Sequence, residues 1–426
     1  MLKADIVSRI RAAVDQGFEE QTRTLADLVR IPSLRRQEGP AQQMMARLYR
    51  DAGLTVDEWE VKVEDIRHMR GFSPIAGDYV DAVNVVGAHR PPKKKGHSLI
   101  LNGHVDVVPE GPHDMWDRPP YEPAIVDGWM HGRGTGDMKG GLISNLFAFK
   151  ALARAGFRPA GDVFIQSVVE EECTGNGSLA CLQRGYTADA AIITEPINHQ
   201  LIRAQVGVMW AIIRVKGHPM HAAYASAGSN AIEAAYGIIQ ALRKLEAKFN
   251  ERKRSDRWFC NHAHPINFNI GKIAGGDWTS SVPAWCEFTL RVGLYPGQDF
   301  ESARAEVAAC VAEAAAADPF LRNSPPTIRY EDLQAEGYVL EGAEEVESCL
   351  SFAHESVLGK SLPDLCATGG TDSRIFGLYA GIPSLVYGPQ CRNMHGMNEA
   401  VNLKSVRDLT EVLALTMASW CGLEEI

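Results

Sequence analysis

The sequence predicts an α/β fold: a mostly parallel sheet covered by helices, with a ferredoxin-like α+β domain inserted into it. Three observations carry this. Short apolar runs alternate with helical stripes toward both ends of the chain, the pattern of parallel strands buried on both faces. The middle of the chain changes to alternating strands in the order β-α-β-β-α-β. And 426 residues exceed what one ordinary core organises. The boundaries that follow are 1–204 and 334–426 for the two parts of the principal domain and 205–333 for the insert.

The elements follow in order. Ile6, Ile10, Val14 and Phe18 form a helical stripe, and the charges between them break the apolar core a signal peptide needs. Ser98 to Leu101 is an apolar strand running into Asn102-Gly103-His104. Leu142 to Ala155 is helical, Val163 to Val169 is a strand running into Glu170-Glu171-Glu172, and Leu179 to Gly185 is helical again. Ala190 to Thr194 runs into Glu195-Pro196. In the insert, Gln205 to Gly217 is strand-like and Asn230 to Lys248 is a helix with Ile232, Ala235, Ile238, Ile239, Leu242 and Leu245 on its apolar side. Ile266 to Ile270 and Cys286 to Val292 alternate with period two. A turn at Tyr295-Pro296-Gly297 leads into the helix Phe300 to Ala317 and a short strand, Thr327 to Tyr330. The first pattern resumes near Val346, and Pro383 to Tyr387 is a strand followed, after Gly388-Pro389, by His395.

Composition narrows the function. The chain is 45% hydrophobic and 23% charged, the balance of a soluble globular protein, and no apolar run is long enough to cross a bilayer. A net charge of -10 argues against nucleic acid, whose phosphates need a basic face. The basic run Pro91 to Gly96 reads as a solvated turn. Nine scattered cysteines with no Cys-x-x-Cys pair suit reduced thiols in a cytoplasmic protein.

The acids and histidines carry the chemistry. His104, Asp106, Asp137, Glu170 to Glu172, Glu195 and His395 follow apolar strands or a glycine-rich turn, and open α/β sheets bind ligands at strand carboxyl ends. Taken singly each motif is weak: His-x-Asp is often a surface coincidence, and three glutamates are often a solvated face. Together they place many charges where burial costs several kcal/mol or more unless they are paired. A pair of divalent metals, zinc above all, takes N and O ligands and keeps a position open for water. Asp106 can accept the second ring N–H of His104. Of the tandem Glu171-Glu172, one can face metal and the other water, as a proton shuttle. The run Gly132 to Gly141 lacks the spacing of a phosphate-binding loop, and no clean strand precedes it as a dinucleotide turn requires. Its glycines fit close passage of the backbone past a metal carried by Asp137.

As an ordered set, Asn102 to Pro109, Gly132 to Gly141, Glu170-Glu171-Glu172 and Thr194-Glu195-Pro196 resemble the dinuclear zinc metallopeptidases and deacylases, which include acetylornithine deacetylase, succinyl-diaminopimelate desuccinylase, aminoacylase and glutamate carboxypeptidase. The resemblance implies two divalent metal ions (zinc, with cobalt or manganese possible). Asp137 would bridge them, with His104 and Glu195 on one and Glu172 and His395 on the other. Glu171 would be the general base, Asp106 would orient His104, and the Asp137-Met138 peptide would be cis. The insert resembles a lid and dimerisation domain, in which His221, with His218 a weaker match, would reach the partner subunit's site and bind the oxyanion. Asn269 and Arg291 lie on the polar sides of their strands and can face the cleft. Gly370 and Arg374, in Gly369 to Arg374, match a turn that meets a substrate carboxylate. The segment Asp65 to Tyr79, Cys173-Thr174-Gly175 and His131 depart from the common pattern.

These readings converge on a cytoplasmic homodimer without nucleic-acid or membrane partners. It would be a metal-dependent amidohydrolase removing an acyl group from an N-acylated amino acid or similar small carboxylate. The alternatives are a metallo-dipeptidase or carboxypeptidase, an amine-releasing hydrolase of an unusual small substrate, and a catalytically silent dimeric binding protein.

Overall fold

The computed structural model describes residues 2–426. Its main sheet has six strands, in the spatial order Thr55–Glu60, Val83–His89, Val163–Val168, Leu99–His104, Ala190–Ile193 and Ser384–Val386. The last four run parallel, and the first two are antiparallel additions at one edge. In the strand Leu99–His104 every residue is buried. Leu99 and Leu101 enter the core on one face and Ile100 enters that on the other, which is why the run is continuously apolar rather than alternating. One face is covered by the helices Ala4–Val29, Gly141–Arg154, Glu344–Leu358 and Leu403–Cys421. In the first of these Ile10 and Val14 are buried, with Leu25 and Leu28 extending the stripe, while Ile6 and Phe18 are half-buried.

A second, antiparallel sheet follows the order β-α-β-β-α-β along the chain. Gly207–Lys216 lies between Trp285–Leu294 and Thr327–Arg329, with Phe268–Gly275 at the edge and Gln334–Ala335 adding a short pairing. The helices Ala231–Glu251 and Phe300–Ala317 pack on it around a separate core of Ile238, Leu242, Phe249, Phe288 and Val307. Asn230 caps the first helix by accepting the N–H groups of Ile232 and Glu233. No helix among the described residues is long and apolar enough to cross a membrane.

The structure adds one short element to the sequence reading. A strand, Trp129–His131, does precede the glycine run. Three residues are too short for a periodic signal. It belongs to a small antiparallel sheet with Ala124–Val126, Ala400–Asn402 and Cys391–Arg392, so it is not the parallel strand of a nucleotide-binding turn. Its pairing with Ala400–Asn402 brings the segment containing His395 against the turn containing Asp137.

Candidate metal centre

The carboxyl ends of three adjacent parallel strands deliver the site. Leu99–His104 ends in His104, Val163–Val168 runs into the glutamates, and Ala190–Ile193 runs into Glu195. His104 is 1% exposed, and its Nε2 lies 3.2 Å from Asp137 Oδ1, 3.7 Å from Glu195 Oε1 and 3.9 Å from Glu171 Oε2. His395 Nε2 lies 3.1 Å from Asp137 Oδ2 and 3.1 Å from Glu172 Oε2. Asp137 therefore turns one oxygen toward each histidine. The Asp137-Met138 peptide is cis.

Two sets, His104 with Glu171 and Glu195, and His104 with Asp137 and Glu172, each bring one ligand atom per residue within 4.8 Å of the others. Burial pushes the carboxyls of Glu171 and Glu195 well above the usual range, and neighbouring acids add to it. Burial also raises Glu172, with Asp137 beside it. Asp137 is held low despite its burial, because both histidines bond to it. His395 is pushed up to about 11, first by Glu172. Glu172 Oε1 is buried with no hydrogen-bond partner among the described residues. Mixed imidazole and carboxylate donors, crowded together and with one oxygen unsatisfied, fit divalent cations.

Asp106 acts differently from the expectation. His104 Nδ1 donates to its main-chain carbonyl at 2.9 Å, while the carboxylate Oδ1 is 3.5 Å away. The carboxylate instead accepts the main-chain N–H groups of Glu171 at 3.3 Å and Glu172 at 3.1 Å. One residue thus aims the histidine, so that Nε2 turns toward Asp137 and can serve a metal, and also fixes the glutamate turn.

Sequence reading missed Glu399. Its carboxylate is fully buried and accepts the N–H groups of Gly134, Gly136 and Asp137, together with Arg133 Nη1 at 2.6 Å. Glu170, unassigned from sequence, holds Arg35 through both oxygens at 2.6 and 2.9 Å.

The remaining candidates make no hydrogen bond or ion pair with this cluster among the described residues. Asn269 and Arg291 face each other in register on neighbouring strands of the second sheet. Among the described residues Arg291 has only carbonyl partners, Asn267 at 3.4 Å and Thr368 at 3.3 Å. Gly370 is half-buried near Val206. Arg374 is 1% exposed and donates to Thr371 O and Thr174 O beside Asp372, so its guanidinium is engaged inside the chain. His221 is exposed on the second module, and its Nδ1 accepts the N–H of Ala223; His218 is exposed beside Phe320.

Fold and site together define a two-module hydrolase with a carboxylate-rich candidate metal centre at the strand ends of its larger sheet. The chain belongs to peptidase family M20/M25/M40, whose model matches residues 100–419. Enzymes of this family are metal-dependent hydrolases. It is 29% identical over 448 aligned residues to an N-formyl-4-amino-5-aminomethyl-2-methylpyrimidine deformylase of Halalkalibacterium halodurans, covering 100% of both chains. The like-named deformylase of Bacillus subtilis is 29% identical over 416 residues, 92% of this chain and 91% of the relative. Among solved structures, the di-peptidase Dug1p of Saccharomyces cerevisiae superposes with a TM-score of 0.80 at 15% identity, over 98% of this chain and 99% of the other. Human carnosine dipeptidase 1 superposes at 0.78 and 14%, over 98% and 99%. These structures share the fold.

Proposed function

We propose that this chain is a dinuclear metal-dependent amidohydrolase that removes a short acyl group, formyl first among them, from a small amine. The observation that carries the reaction class is the placing of Asp137 between His104 and His395, with Glu171 close by. Asp137 would bridge two divalent ions, zinc above all. His104 and Glu195 would complete one site, and His395 and Glu172 the other. When bound, the ions would supply Lewis-acid polarisation of the amide carbonyl and of the attacking water.

The chain's own residues do the rest. A carboxylate oxygen of Glu171 takes the proton of the attacking water and passes it to the leaving nitrogen. Burial raises the proton affinity of Glu171, which suits a group that must hold a proton between two transfers. Asp106 keeps Glu171 and Glu172 in place through their amides. Replacing Glu171 by Ala should abolish turnover while two metals remain bound; undiminished turnover would overturn the assignment.

Two observations bear on the substrate. One deformylase relative spans this chain end to end and the other 92% of it, and Arg374 is committed to internal carbonyls, which favours a brace of the turn over a carboxylate clamp. Formamide hydrolysis of a heteroaromatic aminomethyl compound is the reading that fits both. Arg291, with no carboxylate within ion-pair distance among the described residues, supports a second reading, an N-acyl amino acid whose carboxylate it would meet alongside Asn269 and Gly370. A rate panel of N-formyl aminomethylpyrimidine, N-formyl, N-acetyl and N-succinyl amino acids and dipeptides separates them.

We also propose a cytoplasmic homodimer formed through the second module, which would serve as a lid. In support, all nine cysteines are free, and Tyr224, Ile232, Tyr236, Ile273 and Trp278 stand exposed on that module beside its edge strand. His221 Nδ1 accepts a main-chain N–H, which leaves the proton on Nε2, free to donate to an oxyanion of the partner's site.

A further inference from the structure

Two chains of contacts run from the turn of the catalytic glutamates to the segment where the polypeptide returns from the second module. The first is a single side chain. Arg35 grips Glu170 with Nε and Nη2 at 2.6 and 2.9 Å and reaches Asp332 Oδ1 with Nη1 at 2.9 Å. Asp332 lies between Thr327–Arg329 and Gln334–Ala335, both paired to the central strand of the second sheet. The base of Arg35 is itself anchored. Val107 N donates to Ser33 O at 3.0 Å, and Ser33 Oγ donates to Val105 O at 2.6 Å, so Arg35 is mounted on the loop that follows His104.

The second path is the segment 65–79. Ser73 Oγ donates to Thr174 O at 2.8 Å and accepts Gln334 N at 3.1 Å. Asn176 exchanges hydrogen bonds with the main chain of Ser73 at 3.0 and 2.8 Å, and Asp332 N donates to Pro74 O at 2.7 Å. Ser73, Glu170 and Asn176 are all buried. A planar guanidinium with five donors in a fixed fork can join two carboxylates in one geometry, whereas an ammonium cannot.

We propose that Arg35 is a positioning residue, the pin of a strap made with segment 65–79, which sets the orientation of the second module relative to the Glu170–Glu172 turn. This rests on the reading of Glu171 as the base and of the second module as the carrier of substrate contacts. Arg35 touches neither substrate nor metal in this role. It fixes the register between the groups that react, on the first module, and Asn269 and Arg291 on the second.

The test is a double-mutant cycle on the full-length, metal-loaded enzyme. Asp332→Asn, which loosens only the module side, should raise KM about fivefold, the scale of energetic coupling between separated sites, with kcat within about twofold. In an Arg35→Met background Asp332→Asn should change nothing further, and Arg35→Lys should recover only part of the loss. Small-angle scattering should show a change of particle dimensions in Arg35→Met at a temperature where it is fully folded. Additive effects of Asp332→Asn and Arg35→Met on KM, or a fall in kcat alone with unchanged scattering, would overturn the strap. Turnover surviving in Glu171→Ala would instead sink the catalytic reading, so the two failures are distinguishable.

Discussion

The carboxylate of Glu399 accepts the main-chain N–H of Asp137 at 3.1 Å. Through the same carboxylate the turn that carries Asp137 is tied to the chain just beyond His395, so two residues facing one candidate metal share a support. Arg133, 1% exposed, closes the arrangement by donating to Glu399 and to Gly396 O. Glu399→Ala would strand a buried guanidinium and three N–H groups, and breaking a buried pair in this way costs about 3–5 kcal/mol. Glu399→Gln keeps the shape and loses the charge. Its expected effect is a 10–100-fold weaker metal affinity, as for other residues that orient ligands. Thermal unfolding checks the first and competition with a chelator the second; wild-type metal affinity in Glu399→Gln would refute the shared support.

Asp106 supports the site from the opposite side. Asp106→Ala removes the acceptor of the Glu171 and Glu172 amides but leaves the main-chain carbonyl that orients His104. The expected result is therefore a larger loss in kcat, through misplaced Glu171, than in affinity for the metal that His104 and Glu195 would hold. Steady-state rates beside stoichiometric metal analysis would show it. Equal loss of both metals with no rate defect in the reloaded enzyme would contradict it.

The parallel strands and their chemistry were legible in the sequence because burial on both faces writes itself as an unbroken apolar run, as in Val163 to Val169, and because an acid directly after such a run is conspicuous. Partners far apart in sequence were not. Nothing local to Glu170 reveals Arg35, 135 residues away, and nothing local to Glu399 reveals the amides of a turn more than 260 residues earlier. Arg374 shows the converse limit. Its motif was visible, but whether its guanidinium faces a cleft or the carbonyls of Thr174 and Thr371 depends on tertiary packing.

His199 gives a prediction about pH. It is 4% exposed, neither ring nitrogen has a hydrogen-bond partner among the described residues, and burial pushes its pKa down to about 4, with Asp408 opposing and His354, Lys360 and Lys404 adding to the fall. The unfolded chain protonates it near 6.5. Between those values the unfolded state binds the extra proton, so the contribution of neutral His199 is complete above about pH 6.5 and is lost progressively as pH falls toward 4. Over that window it amounts to about 3 kcal/mol. His199→Leu should flatten stability against pH between 6.5 and 4, as read by denaturant unfolding at each pH. An unchanged slope would show that His199 has a partner that stabilises its charge.

The last prediction concerns the two subunits. If His221 serves the partner's site, Glu171→Ala and His221→Ala subunits are each inactive as homodimers but complement one another when mixed. In the mixed dimer, the site with intact Glu171 receives an intact His221 from the other subunit, while the second site lacks both. Random exchange of a two-fold dimer makes half of the dimers mixed, each with one working site in two. The expected recovery is about a quarter of wild-type activity. Charging the exposed patch, for example Tyr236→Lys with Ile273→Lys, should give a monomer by sedimentation and abolish both turnover and complementation without unfolding the chain, because both side chains lie outside the module's core. Full activity in such a monomer would show that each chain completes its own site and that His221 acts elsewhere.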